Sequence, residues 1–94
     1  MAVYMVTWNL NQERQNYAAA RAAFIAQVES YEHTRDRGLE TVRFISTTST
    51  PTQISDYLRL KLDKNDRLFV TRVRKGENAG WLEQDVWTWV NSRL

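Results

Sequence analysis

From Val3 to Leu10 the chain alternates. Val3, Met5, Thr7 and Asn9 fall on one side of an extended strand, and Tyr4, Val6, Trp8 and Leu10 fall on the other. β-Branched and aromatic residues occupy both sides, so the pattern predicts a central strand covered on both faces. Beyond the polar segment 11–16 the period lengthens. Tyr17, Ala20, Phe24, Val28 and Tyr31 recur at spacings of three and four, the stripe of an amphipathic helix. Ala18, Ala19, Ala20, Ala22 and Ala23 favour that helix and let it approach a sheet closely, and Asn16 stands where an N-cap is expected.

Two further alternating segments, 31–35 and 40–45, flank Asp36-Arg37-Gly38-Leu39, a polar turn containing glycine, and together they read as a hairpin. The first segment is polar enough to be an edge strand. Thr50-Pro51-Thr52-Gln53 combines a capping box with proline at the first helical position and marks the sharpest boundary in the chain. The helix it opens carries Ile54, Tyr57, Leu58 and Leu62 on one stripe, with Asp56, Arg59 and Lys61 pointing away. It ends before the turn Asp63-Lys64-Asn65-Asp66. Residues 67–73 form a strand whose middle is apolar on both sides, which again reads as central. A polar loop, 74–80, leads to a closing helix within 81–94, with Val86, Val90 and Leu94 on one side and Trp87 nearby.

The order strand, helix, strand, strand, helix, strand, helix predicts one α+β domain spanning 1–94. Two right-handed βαβ crossovers of this kind give a ferredoxin-like βαββαβ sheet of four antiparallel strands, with both crossover helices on one face and a C-terminal helix, a partner or solvent on the other. The alternative merges 31–49 into one strand and a loop, leaving three strands.

Ninety-four residues suit a single core, because a chain of this length buries only about 60 to 65% of its unfolded surface. Four tryptophans make the aromatic supply generous for that core, and some of this surface is available to a partner. No cysteine is present, which removes disulfides, thiolate metal sites and a cysteine nucleophile and fits a cytoplasmic protein. No stretch has the apolar length of a membrane span or the layout of a signal peptide. Thirteen basic residues stand against eleven acidic ones, so the placement of charge matters more than its total.

The acids are scattered, which does not predict a metal site, and Asp63 with Asp66 reads as a turn whose carboxylates take nearby amides. Glu13 follows the first strand and is within reach of its end. His33, the only histidine, lies on the predicted edge strand and reads as an ordinary, partly exposed side chain rather than a general acid or base. The glycines at 38, 76 and 80 form no phosphate-binding motif, and no serine sits in a strand-to-helix elbow. No cofactor is predicted.

Arginines supply the positive signal. Arg67, Arg72, Arg74 and Lys75 mark the last strand and its exit, and Arg35, Arg37 and Arg43 mark the hairpin. Brought together, these strands would offer forked cations to phosphates, and Arg35, Arg43, Arg72, Arg74 and Lys75 are the nucleic-acid-binding candidates. The competing reading is a solvated face interleaved with Glu32, Asp36 and Glu40. Trp81 and Trp87 read as anchors of a dimer interface.

The stretches YMVTWNLN, QNYAAA, ISDYLRLKLDKNDRLFVTRV and AGWLEQDVWTWV together resemble a group of short bacterial proteins labelled SinR-like. These in turn are similar to the small CRISPR-associated subunit of the spacer-acquisition complex, a ferredoxin-like homodimer. LDKNDRLFV and AGWL are the most distinctive pieces, and the hairpin matches least. The resemblance implies a homodimer and places the end of the first strand at the position of a metal-binding aspartate, commonly within YDLN. Here that position is Asn9, in WNLN. An amide can offer a carbonyl oxygen to an ion but brings neither a negative charge nor a proton acceptor. The sequence therefore points to a non-catalytic homodimer that binds nucleic acid or a protein partner, with no membrane association. The alternatives are a magnesium- or manganese-dependent endonuclease using Asn9 with Glu13 or a partner's side chain, and a toxin-antitoxin-type regulatory component.

Overall fold

The computed structural model describes all residues, 1–94. Its strands are β1 (Ala2–Asn9), β2 (Glu32–Thr34), β3 (Val42–Thr47) and β4 (Arg67–Val73), and its helices are α1 (Tyr17–Val28), α2 (Pro51–Arg59) and α3 (Gln84–Asn91). The strands form one antiparallel sheet in the order β2-β3-β1-β4. This is the ferredoxin-like arrangement with a C-terminal helix. The β2–β3 hairpin exists, although β2 is only three residues long, so the three-stranded alternative is excluded.

The two faces of β1 sort the core as their alternation predicts. Tyr4, Val6, Trp8 and Leu10 pack with Phe24 and Val28 of α1 and Ile54 and Leu58 of α2. The Trp8 and Phe24 rings lie 5.1 Å apart at a tilt of 58°, which pins α1 to the middle of the sheet. On the other face Val3 and Phe44 pack with Val86 and Val90 of α3. Asp36 sets where α3 starts: its carboxylate accepts the Gly38 N–H at 2.8 Å within the hairpin turn and the Glu83 N–H at 2.7 Å at the helix entrance. Arg37 adds hydrogen bonds to the Glu83 carboxylate, which these bonds hold below the usual carboxylate range.

Thr50 and Gln53 form the reciprocal capping box that their spacing predicts, with Pro51 opening α2. Asn16 occupies the N-cap position of α1, but at φ 62° its side chain makes no capping bond; its C=O accepts the Ala20 N–H instead. Tyr57 is partly exposed, its ring edge-on to Tyr31 at 5.7 Å. Leu62 lies beyond the end of α2.

β4 is not central. It pairs with β1 alone and forms an edge of the sheet. Its apolar middle reflects one face resting on the core and the other left open: Leu68 and Val70 stand opposite Trp8 and Val6 on the side of α1 and α2, whereas Phe69 stands opposite Thr7 and remains 59% exposed.

Candidate functional site

β1 leaves the sheet at Asn9, which is exposed and paired across the ladder with Arg67. An open cleft of about 630 Å³ follows, lined by Asn9, Asn11, Gln12, Glu13, Asn65 and Arg67. Glu13 is exposed beside it. The carboxylate that organises this end of the sheet comes from elsewhere in the chain. Asp66, just before β4, is buried and accepts the Asn11 N–H at 2.8 Å, the Asp63 N–H at 3.0 Å and Arg14 Nη1 at 2.6 Å. Burial pushes its carboxyl up, but the two amides and the guanidinium outweigh burial and hold it below the usual carboxylate range. Asp63 accepts the Asn65 N–H at 2.8 Å and lies 3.5 Å from Arg14. The pair thus acts as turn residues, as their spacing suggests, and Asp66 also ties the exits of β1 and α2 together across 55 residues. Nowhere do three His, Asp or Glu side chains gather as metal ligands.

The basic residues separate into two groups. On the hairpin, Arg43 is not a phosphate ligand. It is buried, donates to Glu29 at 2.9 Å and to the carbonyls of Glu40 and Val42, and lies 5.3 Å over the Trp8 ring. Its direction follows from register, since Arg43 stands opposite Val6 on the core side of the sheet. Arg35 is half-buried. His33 Nδ1 donates to the Tyr31 carbonyl at 2.9 Å, an ordinary edge-strand role. The hairpin and β4 lie at opposite edges, so their arginines do not join into one surface.

Around β4 the cations have no carboxylate partner, although Arg67 Nη1 donates to the Lys64 carbonyl at 3.2 Å and the Asp66 carbonyl at 2.9 Å. Arg67, Arg72, Arg74 and Lys75 are exposed and make no ion pair, whereas Arg14, Arg37, Arg43 and Arg93 each hold a carboxylate. Arg72, Arg74 and Lys75 line a recess of about 230 Å³ together with Arg93 and the two chain ends.

The tryptophans also part company. Trp8 is core, and Trp89 carries the Arg93 guanidinium 4.1 Å above its ring. Trp81 is 98% exposed in the segment before α3. Trp87 lines a groove of about 520 Å³ with Met5, Phe44, Thr71, Trp81 and Leu82, between the sheet and that segment. Phe69 extends this apolar strip along β4, one pleat beyond Thr71. Phe69 escaped the sequence pattern because β4 read as a central strand; assigning β4 to the edge of a ferredoxin-like sheet would have exposed it.

No protein-family model and no curated protein matches the chain.

Proposed function

We propose that this chain is a non-catalytic interaction module that works as a homodimer. One observation carries the reading: α3 covers only part of its sheet face, leaving Phe69 and Trp81 exposed at 59% and 98% beside an apolar groove. An average stable interface takes about 800 Å² from each partner, roughly an eighth of the chain's 6172 Å² surface, and a patch centred on this groove is suited to that role. A two-fold arrangement matches such a strip to itself.

The resemblance to the small spacer-acquisition subunit belongs to the same proposal. It is supported by the βαββαβ order, and it is at Asn9, exposed at the end of β1, that the chain departs from the aspartate the resemblance implies. An amide there, with Asp66 engaged in structural bonds, favours a binding role over metal-dependent hydrolysis. Sedimentation velocity tests the dimer. The wild type is expected to sediment as a dimer at tens of micromolar and Phe69→Glu as a folded monomer; a monomeric wild type refutes the proposal.

A nucleic-acid-binding surface is a second reading, favoured by the unpaired cations Arg72, Arg74 and Lys75 at one recess. It predicts binding that weakens with salt and is lost in the double variant Arg72→Glu, Arg74→Glu.

A further inference from the structure

β4 is an open sheet edge, and the ladder phase identifies its outward groups. The Trp8 N–H donates to the Thr41 carbonyl, so Trp8, Val6 and Tyr4 direct their backbone groups toward β3. Val3, Met5, Thr7 and Asn9 therefore bond β4, and they do so at Val73, Thr71, Phe69 and Arg67. The N–H and C=O groups of Leu68, Val70 and Arg72 point away from the sheet. No turn, loop or side chain of the protein reaches them: β4 has no second neighbour, and these groups take no part in the remaining hydrogen bonds. The strand contains no proline to block pairing.

A groove of about 580 Å³ runs beside this edge between α2 and β4, with Leu60, Leu62 and Leu68 as its apolar lining and Arg59, Lys64 and Arg67 among its polar residues. Leu60 is 75% exposed. Asp56, Asp63 and Asp66 also line the groove; Arg14 pairs with both Asp63 and Asp66, and β4 itself carries no acid.

We infer that the β4 edge captures an extended acidic segment of a partner protein, which joins the sheet as a fifth strand. Strand addition supplies the hydrogen bonds that Leu68, Val70 and Arg72 lack, and the unpaired arginines select the charge. An antiparallel guest would place one residue opposite Arg72 and another opposite Arg67, both matched by carboxylates. Between them its side chains would meet Val70 and Leu68 on the α2 side and Thr71 and Phe69 on the other, which calls for apolar or β-branched residues. A second copy of this chain is a poor occupant. Antiparallel β4 pairing about Val70 would bring Arg67 and Arg72 of both copies onto one seam without a carboxylate. Nucleic acid would satisfy the cations but would leave the backbone ladder unfilled.

Strand capture rests on reading the chain as a binding module; it shares Phe69 and Thr71 with the proposed dimer face, but its hydrogen bonds come from the β4 edge, which that face does not use. A monomer by sedimentation would leave it intact, and a failed peptide titration would leave the dimer intact. The test titrates a fluorescent Glu-Thr-Val-Phe-Val-Glu peptide into the full chain, followed by anisotropy and by amide hydrogen exchange. Saturable binding is expected, with the amides of Leu68, Val70 and Arg72 protected. At least a tenfold loss is expected when lysine replaces both glutamates of the peptide. The same loss is expected when the peptide is N-methylated at the residues facing Arg72, Val70 and Leu68, and in the protein variant Arg67→Glu, Arg72→Glu. The peptide changes cannot disturb the protein's own fold, so they remain decisive even if the variant misfolds. Equal binding of the N-methylated peptide overturns the inference, as does absence of binding. Protection of these amides that rises with protein concentration alone would assign the edge to a second copy. Displacement of the peptide by single-stranded oligothymidylate, without protection of these amides, would assign the arginines to nucleic acid.

Discussion

Replacing Asp66 tests whether the carboxylate at the β1 exit is a structural tie. Asp66→Ala removes the acceptor for the Asn11 and Asp63 amides and for Arg14 in one step. Each hydrogen bond to a charged group contributes about 1.5–3 kcal/mol when its partner is fully desolvated. Arg14 keeps 23% side-chain exposure and Asp63 is exposed, so water replaces part of what is lost. The expected destabilisation is then roughly 2–4 kcal/mol, which lowers Tm by about 10–25 °C in a domain of this size. Against a total of about 5–14 kcal/mol for 94 residues this is a large fraction, yet the variant should fold at low temperature. Asp66→Asn, which keeps a neutral acceptor, is expected to lie between the two.

The pH dependence supplies an independent check. The folded carboxyl sits below its ordinary value of 3.8, so on acidification the unfolded chain binds the proton first. The stabilisation is fully present above the ordinary value and is lost as pH falls through the lower folded value. Urea unfolding followed by tryptophan fluorescence should show the wild-type advantage over Asp66→Asn at pH 7 and its disappearance in strong acid. A loss below about 1 kcal/mol in Asp66→Ala, or a wild-type advantage unchanged in strong acid, would refute the assignment.

Three further outcomes are expected. Arg43→Met should cost less than about 2 kcal/mol in urea unfolding, because an apolar chain of similar length suits the site over Trp8 and Glu29 keeps access to water; Arg43→Glu, which buries a charge beside Glu29, should cost far more. Thr50→Ala removes the capping bond to the Gln53 N–H and should lower stability by about 1 kcal/mol, read from the thermal midpoint. Asn9→Asp should create no magnesium- or manganese-dependent cleavage of single- or double-stranded DNA or RNA in a gel assay; cleavage by this variant would favour the nuclease alternative.

Local pattern determined much of this protein. Alternation in 3–10 specified β1 and the residues each of its faces contributes, the Thr50–Gln53 spacing specified the start of α2, and the element order specified the ferredoxin-like topology. These features depend on neighbours a few residues apart, where backbone geometry fixes which side chains share a face. Register and long-range pairing lay beyond that reach. The ferredoxin-like order implied an edge position for β4, but an apolar strand reads alike at the centre of a sheet and at an edge left open on one face, and the tertiary structure decided in favour of the edge and exposed Phe69. Register turned Arg43 into the core and onto Glu29, and sheet order separated the hairpin arginines from those of β4. Asp63 and Asp66 were legible as a turn, but the bonds that Asp66 makes to Asn11 and Arg14 join segments more than 50 residues apart and arise only when β1 and β4 lie side by side.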